Sequence, residues 1–290
     1  MVSIEAMFAL NEEHEEKNTT ELPINRIFPY PNQPFETYDS QRISELADDI
    51  RIRGLDNPLI VRKMPDGNYQ IIAGHNRFLA IKQLGWTRVP VSVKELSDSE
   101  AAIYLVQSNL LQRTNIKESE KVKAYALRAK ALKKQGQKLD SKYSSIDIIS
   151  QSESIKPRTL SRYITCAALN QDLLDLMDQK KISLNIGEQL SKLNNEQQLQ
   201  VANFIINNEH KLSLSEAKKI VDSSSNDFDL ESIILSSEKE QKEDKNAAKI
   251  ERAFKILSKS EKYQRFIKKE GIKEDSILSV LTILAEENIL

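Results

Sequence analysis

Cysteine is almost absent from this chain. One residue, Cys166, in 290 leaves no intramolecular disulfide and no cysteine metal cluster. The three histidines, His14, His75 and His210, are far apart and lack metal-ligand spacing, so a zinc or iron centre is not expected. No apolar run approaches the roughly 18 residues that a membrane-spanning helix needs, and the N-terminal MVSIEAMFALNEEHEEKN turns acidic after a short apolar patch. A soluble cytoplasmic protein without a membrane partner is the expectation. Net charge is nearly absent too. With 42 basic and 43 acidic residues the total is −1, which excludes a uniformly basic nucleic-acid coat and leaves local segregation of charge open. Glycine is scarce, at seven residues, while Lys, Gln, Asn, Leu and Ile abound, and that composition reads as largely helical. At this length two or three domains are expected.

What is present is organised around residues 69–80, YQIIAGHNRFLA. Tyr69, Ile71 and Ile72 suit a short buried strand, Gly74 interrupts it, and Asn76, Arg77, Phe78, Ala80, Ile81 and Leu84 suit a helix ending at Gly85. A strand feeding a helix through glycine aims free backbone amides at one point. Such a point can hold a phosphate, and Arg77 can add a bidentate charge. A tight turn with a surface arginine is the plainer reading, and Gly-x-x-Arg alone favours it.

Residues 1–20, with the charge run EEHEEKN, read as a flexible N-terminal arm. Leu22, Ile24, Ile27 and Phe28 then suggest a short extended segment, followed by a proline-rich loop, FPYPNQPFE. Ser40 can cap a helix with Ile43, Leu46, Ala47 and Ile50 on one face and Gly54 past its end. Leu59–Val61 form a strand that turns at Pro65-Asp66-Gly67 into the strand at Tyr69. Val89, Val91 and Val93 alternate as another strand, and Ser97 with Glu100 forms a capping box for a helix reaching about Leu111.

The succession NQPFE, ISELADDIRIRGLDNPLIVR, YQIIAGHNRFLAIKQLGWTRVPV and SNLLQRTNIKESEKVKAY resembles the N-terminal domain of the ParB family of chromosome and plasmid partition proteins. The resemblance implies an α+β ParB/sulfiredoxin-like domain over residues 21–116. It also implies a pocket for CTP with Mg2+, in which a G-E-R-R-x-R-A box wraps the phosphates. Here the box runs from Gly74 to Ala80: Gly74, Arg77 and Ala80 match, and His75, Asn76 and Leu79 depart. The family's second box, E-N-x-Q-R, corresponds to Asn109, Gln112 and Arg113 with one extra residue between Asn109 and Gln112. Gln33 and Pro34 fit the family's first loop. The magnesium-facing glutamate of the family is absent or displaced. That leaves Glu118 or Glu120 as metal candidates, Asn109 and Gln107 acting through water, or a degenerate site. CTP hydrolysis is accordingly more open than CTP binding.

Beyond this domain the chain reads as all-α. Between Lys117 and Tyr163 there are 12 Lys and Arg against 5 Asp and Glu, a local net charge of +7. That is the footprint of a DNA-binding module, although solvated lysine faces of helices give the same count. Ser145–Gln151 and Ile155–Ala167 then read as the two helices of a helix-turn-helix, with Pro157 in the first turn of the second. Lys156, Arg158, Thr159, Ser161 and Arg162 are the polar candidates for DNA contact, Arg158 for a base and Lys156 and Arg162 for phosphates. KPRTLSRYI also resembles the ParB element S-x-x-T-[VL]-x-R-Y. Cys166 reads as a buried filler. The helix-turn-helix domain is assigned to residues 117–221, a charged linker to 222–250 and a small helical segment to 251–290. The last stripe, Ile277, Val280, Leu281 and Leu284, suits self-association or a helical hairpin of its own.

Taken together, the expectation is a partition protein that binds double-stranded DNA at an inverted repeat as a homodimer. By resemblance, CTP would close it into a clamp and a ParA-type ATPase would act on its arm, placing it on a nucleoid or plasmid. A ParB-like transcription regulator is the alternative. More distant is a nucleotide-dependent phosphotransferase on the same fold.

Overall fold

The computed structural model describes residues 19–136, 144–224 and 229–259. The expected arm therefore lies outside the described residues but for Thr19 and Thr20, as does the stripe from Ile277 to Leu284. The chain divides into two compact units that part between Ser191 and Lys192. This division falls inside the stretch assigned to one helix-turn-helix domain, so residues 117–191 share a unit with the sheet.

The first unit is built on a five-stranded mixed sheet. In chain order the strands are β1 (Thr19–Pro23), β2 (Ile27–Phe28), β3 (Leu59–Lys63), β4 (Tyr69–Ala73) and β5 (Arg88–Lys94). Their spatial order is β1-β5-β3-β4-β2. The β3–β4 and β1–β5 pairs are antiparallel; β3–β5 and β2–β4 are parallel, with Leu59 opposite Val91 and Ile27 opposite Tyr69. Helix α1 (Ser40–Arg53) starts at the residue expected to cap it. Asp39 is the N-cap, its carboxylate accepting from the Arg42 amide at 2.9 Å, and Ser40 is the first helical residue. A carboxylate at this position also complements the positive end of the helix dipole. Helix α2 (His75–Gln83) follows β4 directly, and α3 (Asp98–Gln112) opens with the expected Ser97–Glu100 capping box.

Strand β4 serves two cores because successive side chains leave a strand on opposite faces. Ile71 joins Leu59, Val61, Val91 and the inner faces of α1 and α2, whereas Ile72 joins Phe35, Leu105, Val106 and Ala124. Both isoleucines are fully buried. The strand that ends at Gly74 is thus held from both sides.

Ala124 belongs to α4 (Glu118–Gly136), which carries the remaining helices of this unit: α5 (Ser145–Ser152), α6 (Pro157–Cys166), α7 (Gln171–Asp178) and α8 (Leu184–Leu190). Helix α6 begins at Pro157, later than the expected Ile155, because Ser154 takes a left-handed φ of 52° and the Ile155 amide turns back to the Ser150 carbonyl. Its apolar face is Leu160, Tyr163 and Cys166, all buried.

The second unit contains α9 (Asn195–Asn207), α10 (Leu214–Asp222) and α11 (Leu230–Ser258). Much of the expected charged linker is therefore helical. The reason is compositional: from Leu230 to Ser258 there is no glycine or proline, and Glu, Lys, Gln and Ala dominate the middle of the stretch. Leu230 and Ile234, four residues apart, supply its buried contacts.

One polar residue is structural beyond anything expected of it. Arg128, on α4, is 1% exposed; its guanidinium pairs with Glu153 and donates to Ser152 Oγ at 2.9 Å. It thereby ties α4 to the turn between α5 and α6. Arg128→Ala removes the buried guanidinium and leaves the partly buried Glu153 carboxylate unpaired, and is expected to cost about 3 kcal/mol in urea unfolding, whereas Arg128→Met with Glu153→Gln together should cost far less.

Candidate functional site

The turn after β4 puts Gly74 at the N-cap of α2 with φ 98°. A side chain there would be strained, and a Cβ would stand 2.8 Å from Leu59 Cδ2 and 3.0 Å from an Arg77 nitrogen. The first helical hydrogen bond runs from the Phe78 amide to the Gly74 carbonyl. Hence the amides of His75, Asn76 and Arg77 lie free at the helix start, with no side-chain cap.

A cavity of about 260 Å³ opens over them, lined by Tyr38, Leu46, Gly74, His75, Asn76, Arg77, Asn109, Gln112 and Arg113. Its size falls just below the roughly 300–1,000 Å³ of typical small-ligand pockets. Two distant segments meet here. Asn109, Gln112 and Arg113 share one face of the end of α3, since i, i+3 and i+4 positions are neighbours on a helix, so the extra residue between Asn109 and Gln112 does not separate them. Gln33 and Pro34 do not line the cavity; Pro34 is buried beside Phe35 in the loop beneath Arg113. Tyr38 and Leu46, which do line it, carried no signal in the sequence.

The polar groups are oriented by the loop between β2 and α1. The Tyr30 amide donates to His75 Nε2 at 3.3 Å and the Tyr38 amide to Asn76 Oδ1 at 3.0 Å. Each side chain spends its acceptor on the loop and retains an N–H: Nδ1 of His75 and the Nδ2 amide of Asn76. Arg77 donates to the Asn57 and Pro58 carbonyls, and burial lowers its pKa. Arg113 lies over the Phe35 ring at 5.3 Å, donates to the Glu36 carbonyl at 3.0 Å and approaches Glu120 at 3.6 Å. The cavity therefore presents hydrogen-bond donors, two guanidinium groups and no carboxylate. That combination suits phosphate oxygens.

The metal candidates are placed differently. Glu120 is 4% exposed and accepts from the Glu36 amide at 2.8 Å and the Lys117 amide at 3.0 Å, capping α4. Glu118 accepts from the Tyr163 hydroxyl at 2.7 Å and pairs with Lys121. Neither lines the cavity. Gln107 is half-buried on α3 and does not line it either. No cluster of three or more His, Cys, Asp or Glu suited to a metal occurs among the described residues. The donor set fits nucleotide phosphates and does not fit a divalent cation.

On the second face, Lys156 and Arg158 stand exposed at the start of α6, and Thr159 and Ser161 are half-buried beside them. Arg162 is turned aside: its Nε donates to Glu188 of α8 at 3.0 Å. Acidic residues of the basic stretch are drawn into internal roles. Glu118 bonds Tyr163, Glu120 and Asp147 cap helices, and Glu153 pairs with Arg128. The lysines Lys123, Lys130, Lys133 and Lys134 remain exposed, so the local excess of positive charge is turned outward.

Residues 9–110 match the ParB N-terminal domain family. Over those residues the chain is similar to the ParB family. Among curated relatives, the nucleoid occlusion protein of Bacillus thuringiensis (strain Al Hakam) is 41% identical over 128 residues, covering 42% of this chain and 44% of the relative. That of Geobacillus kaustophilus (strain HTA426) is 37% identical over 117 residues, covering 40% and 41%. The chain spans about two fifths of the length of the curated relatives it matches. The C-terminally truncated chromosome-partitioning protein ParB of Caulobacter crescentus, complexed to the centromeric parS site, overlaps 70% of this chain and 99% of its own at 21% identity and a TM-score of 0.39. So loose an overlap does not bear on function. Among the described residues no helix is long and apolar enough to cross a membrane.

Two outcomes follow from the turn. Gly74→Ala is expected to cost about 1–3 kcal/mol of stability in denaturant titration, through its positive φ and the crowding at Leu59. His75 gives a pH dependence. Burial first, and the nearby Arg113 second, pull its imidazole from 6.5 to about 4. Above pH 6.5 the ring is neutral whether the chain is folded or not. As pH falls from 6.5 toward 4 the unfolded chain gains a proton that the folded chain refuses, so stability should drop by up to about 3 kcal/mol. Urea midpoints measured across that window should show the drop in the native protein, and His75→Gln should remove this part of it.

Proposed function

We propose that this chain is a ParB-type DNA-binding protein that reads an inverted-repeat site as a homodimer through α6 and responds to CTP held at the start of α2. The observation that carries the nucleotide part is the convergence of residues 74–77 and 109–113 on one donor-lined cavity. Its free amides, the N–H groups of His75 and Asn76, and the two guanidinium groups are the complement of a triphosphate. Bound there, CTP would supply the charge that draws these groups together. By the resemblance to the ParB family, that event would close a clamp around DNA.

For DNA, support comes from the sign and placement of charge. Helix α6 presents Lys156 and Arg158 at its N-terminal end, where the second helix of a helix-turn-helix meets base edges. Arg158, exposed and without a partner among the described residues, is assigned the base contact. Lys156 is assigned a phosphate. Arg162, engaged with Glu188, is assigned to positioning α6 against α8, with a phosphate contact only if that pair opens. Thr159 and Ser161 complete the polar face.

The biological setting proposed is DNA segregation, with a ParA-type ATPase as partner. The similarity to nucleoid occlusion proteins favours a second reading, in which DNA binding reports the position of the nucleoid. A ParA-type gene beside this one would support segregation. Enzymatic readings fare worse. Cys166 is fully buried and burial pushes its thiol up to about 12, so it offers no thiolate for sulfur redox chemistry. Phosphoryl transfer asks for a base beside the nucleotide, and no carboxylate lines the cavity.

The test uses a DNA site selected from random sequence by the native protein. Arg158→Ala should lose about 1–3 kcal/mol of discrimination between that site and random DNA, while Lys156→Ala should weaken both alike and lower the salt slope by about one. Equal weakening of both DNAs by Arg158→Ala would remove Arg158 from base recognition.

A further inference from the structure

The donor set of the cavity separates the nucleotide from the metal that usually accompanies it. Magnesium dehydrates reluctantly and is commonly held by one or two carboxylates together with substrate phosphates. Here the nine lining residues contribute no carboxylate. On α3, the position facing the cavity four residues before Arg113 is Asn109. Its Nδ2 donates to the Leu105 carbonyl at 2.8 Å, leaving one neutral amide oxygen. Glu120 approaches Arg113 of the cavity wall at 3.6 Å, but both its oxygens are occupied, by the Glu36 and Lys117 amides. Releasing it for a metal would uncap α4 and bare two amides.

Positive charge is supplied otherwise. Arg77 lies in a site whose burial works against its charged form, and a phosphate beside it would offset that penalty. Arg113 stands across the cavity, and the unpaired amides of α2 add the positive end of the helix dipole between them. We infer that this pocket takes the nucleotide as a free polyanion, with Arg77, Arg113 and the amides of residues 75–77 in the place of a divalent cation. The inference rests on the nucleotide reading above. Magnesium bound to the phosphates would then be a competitor, because it neutralises the charge that these groups recognise. It follows that occupancy of the site needs no metal-assisted hydrolysis to be established.

The test is calorimetric titration of the full chain with CTP, once in excess EDTA and once in excess magnesium. The expected dissociation constant in EDTA is equal to or lower than that in magnesium. Weaker binding in EDTA would overturn the inference and leave the nucleotide reading standing. No heat of binding in either buffer would overturn the nucleotide reading itself, and the inference with it. A second arm uses Asn109→Glu, which places a carboxylate where the cavity has an amide. It should weaken binding in EDTA about tenfold or more and recover with magnesium. Unchanged affinity in both buffers would show that the phosphates do not lie beside Asn109, overturning the proposed geometry. The native comparison decides the question by itself if that variant does not fold.

Discussion

A single buried carboxylate, that of Glu120, joins the two chemistries of the first unit. It accepts the amide of Glu36 in the loop that orients the cavity and the amide of Lys117 at the start of α4, and it faces Arg113 on the cavity wall. A loop 84 residues away in sequence, the end of α3 and the start of α4 meet on one charge. A buried carboxylate is stable only when its oxygens are satisfied, so the loop, the end of α3 and the first turn of α4 must sit together for any of them to sit well. Two residues earlier, Glu118 reaches the Tyr163 hydroxyl on α6. The cavity wall and α6 are thereby held through one turn of one helix.

The same economy governs the basic half. Arg128 fixes the turn between α5 and α6 from inside, and Asp178 does the equivalent for α4 by accepting from the Ser119 amide and hydroxyl at 2.8 and 2.6 Å. Acidic side chains are drawn into caps and internal pairs, which leaves the lysines at the surface. A net charge of −1 for the whole chain thus conceals a strongly polarised segment, because sign is sorted by burial as much as by position along the chain.

Much of this fold was legible in the residues. Periodicity located β3, β4, β5, α1 and α3 because each carries alternation or an i, i+3, i+4 stripe bounded by glycine or a capping residue. The convergence of Gly74–Arg77 with Asn109–Arg113 could be anticipated only through family resemblance, since nothing local in either segment points to the other. Four features escaped. Arg128 looks like any surface arginine on a helix, and its burial depends on a partner 25 residues away. Glu118 and Glu120 stand only as metal candidates in the sequence, which carries no sign of the hydrogen bonds that engage both. Tyr38 reaches the cavity by the path of a loop. The charged stretch before residue 250 reads as a linker by its charge density, whereas in the chain the absence of glycine and proline prevails and it is helical.

The strand leading to Gly74 is clamped between two cores, with Ile71 in one and Ile72 in the other. The direction in which the amides of residues 75–77 point is therefore set by apolar packing behind them and by one glycine, not by the side chains at 75 and 76. Those side chains can be exchanged over evolutionary time without turning the amides away. Substitution at 75 or 76 would thus change the charge of this turn before it changed its shape.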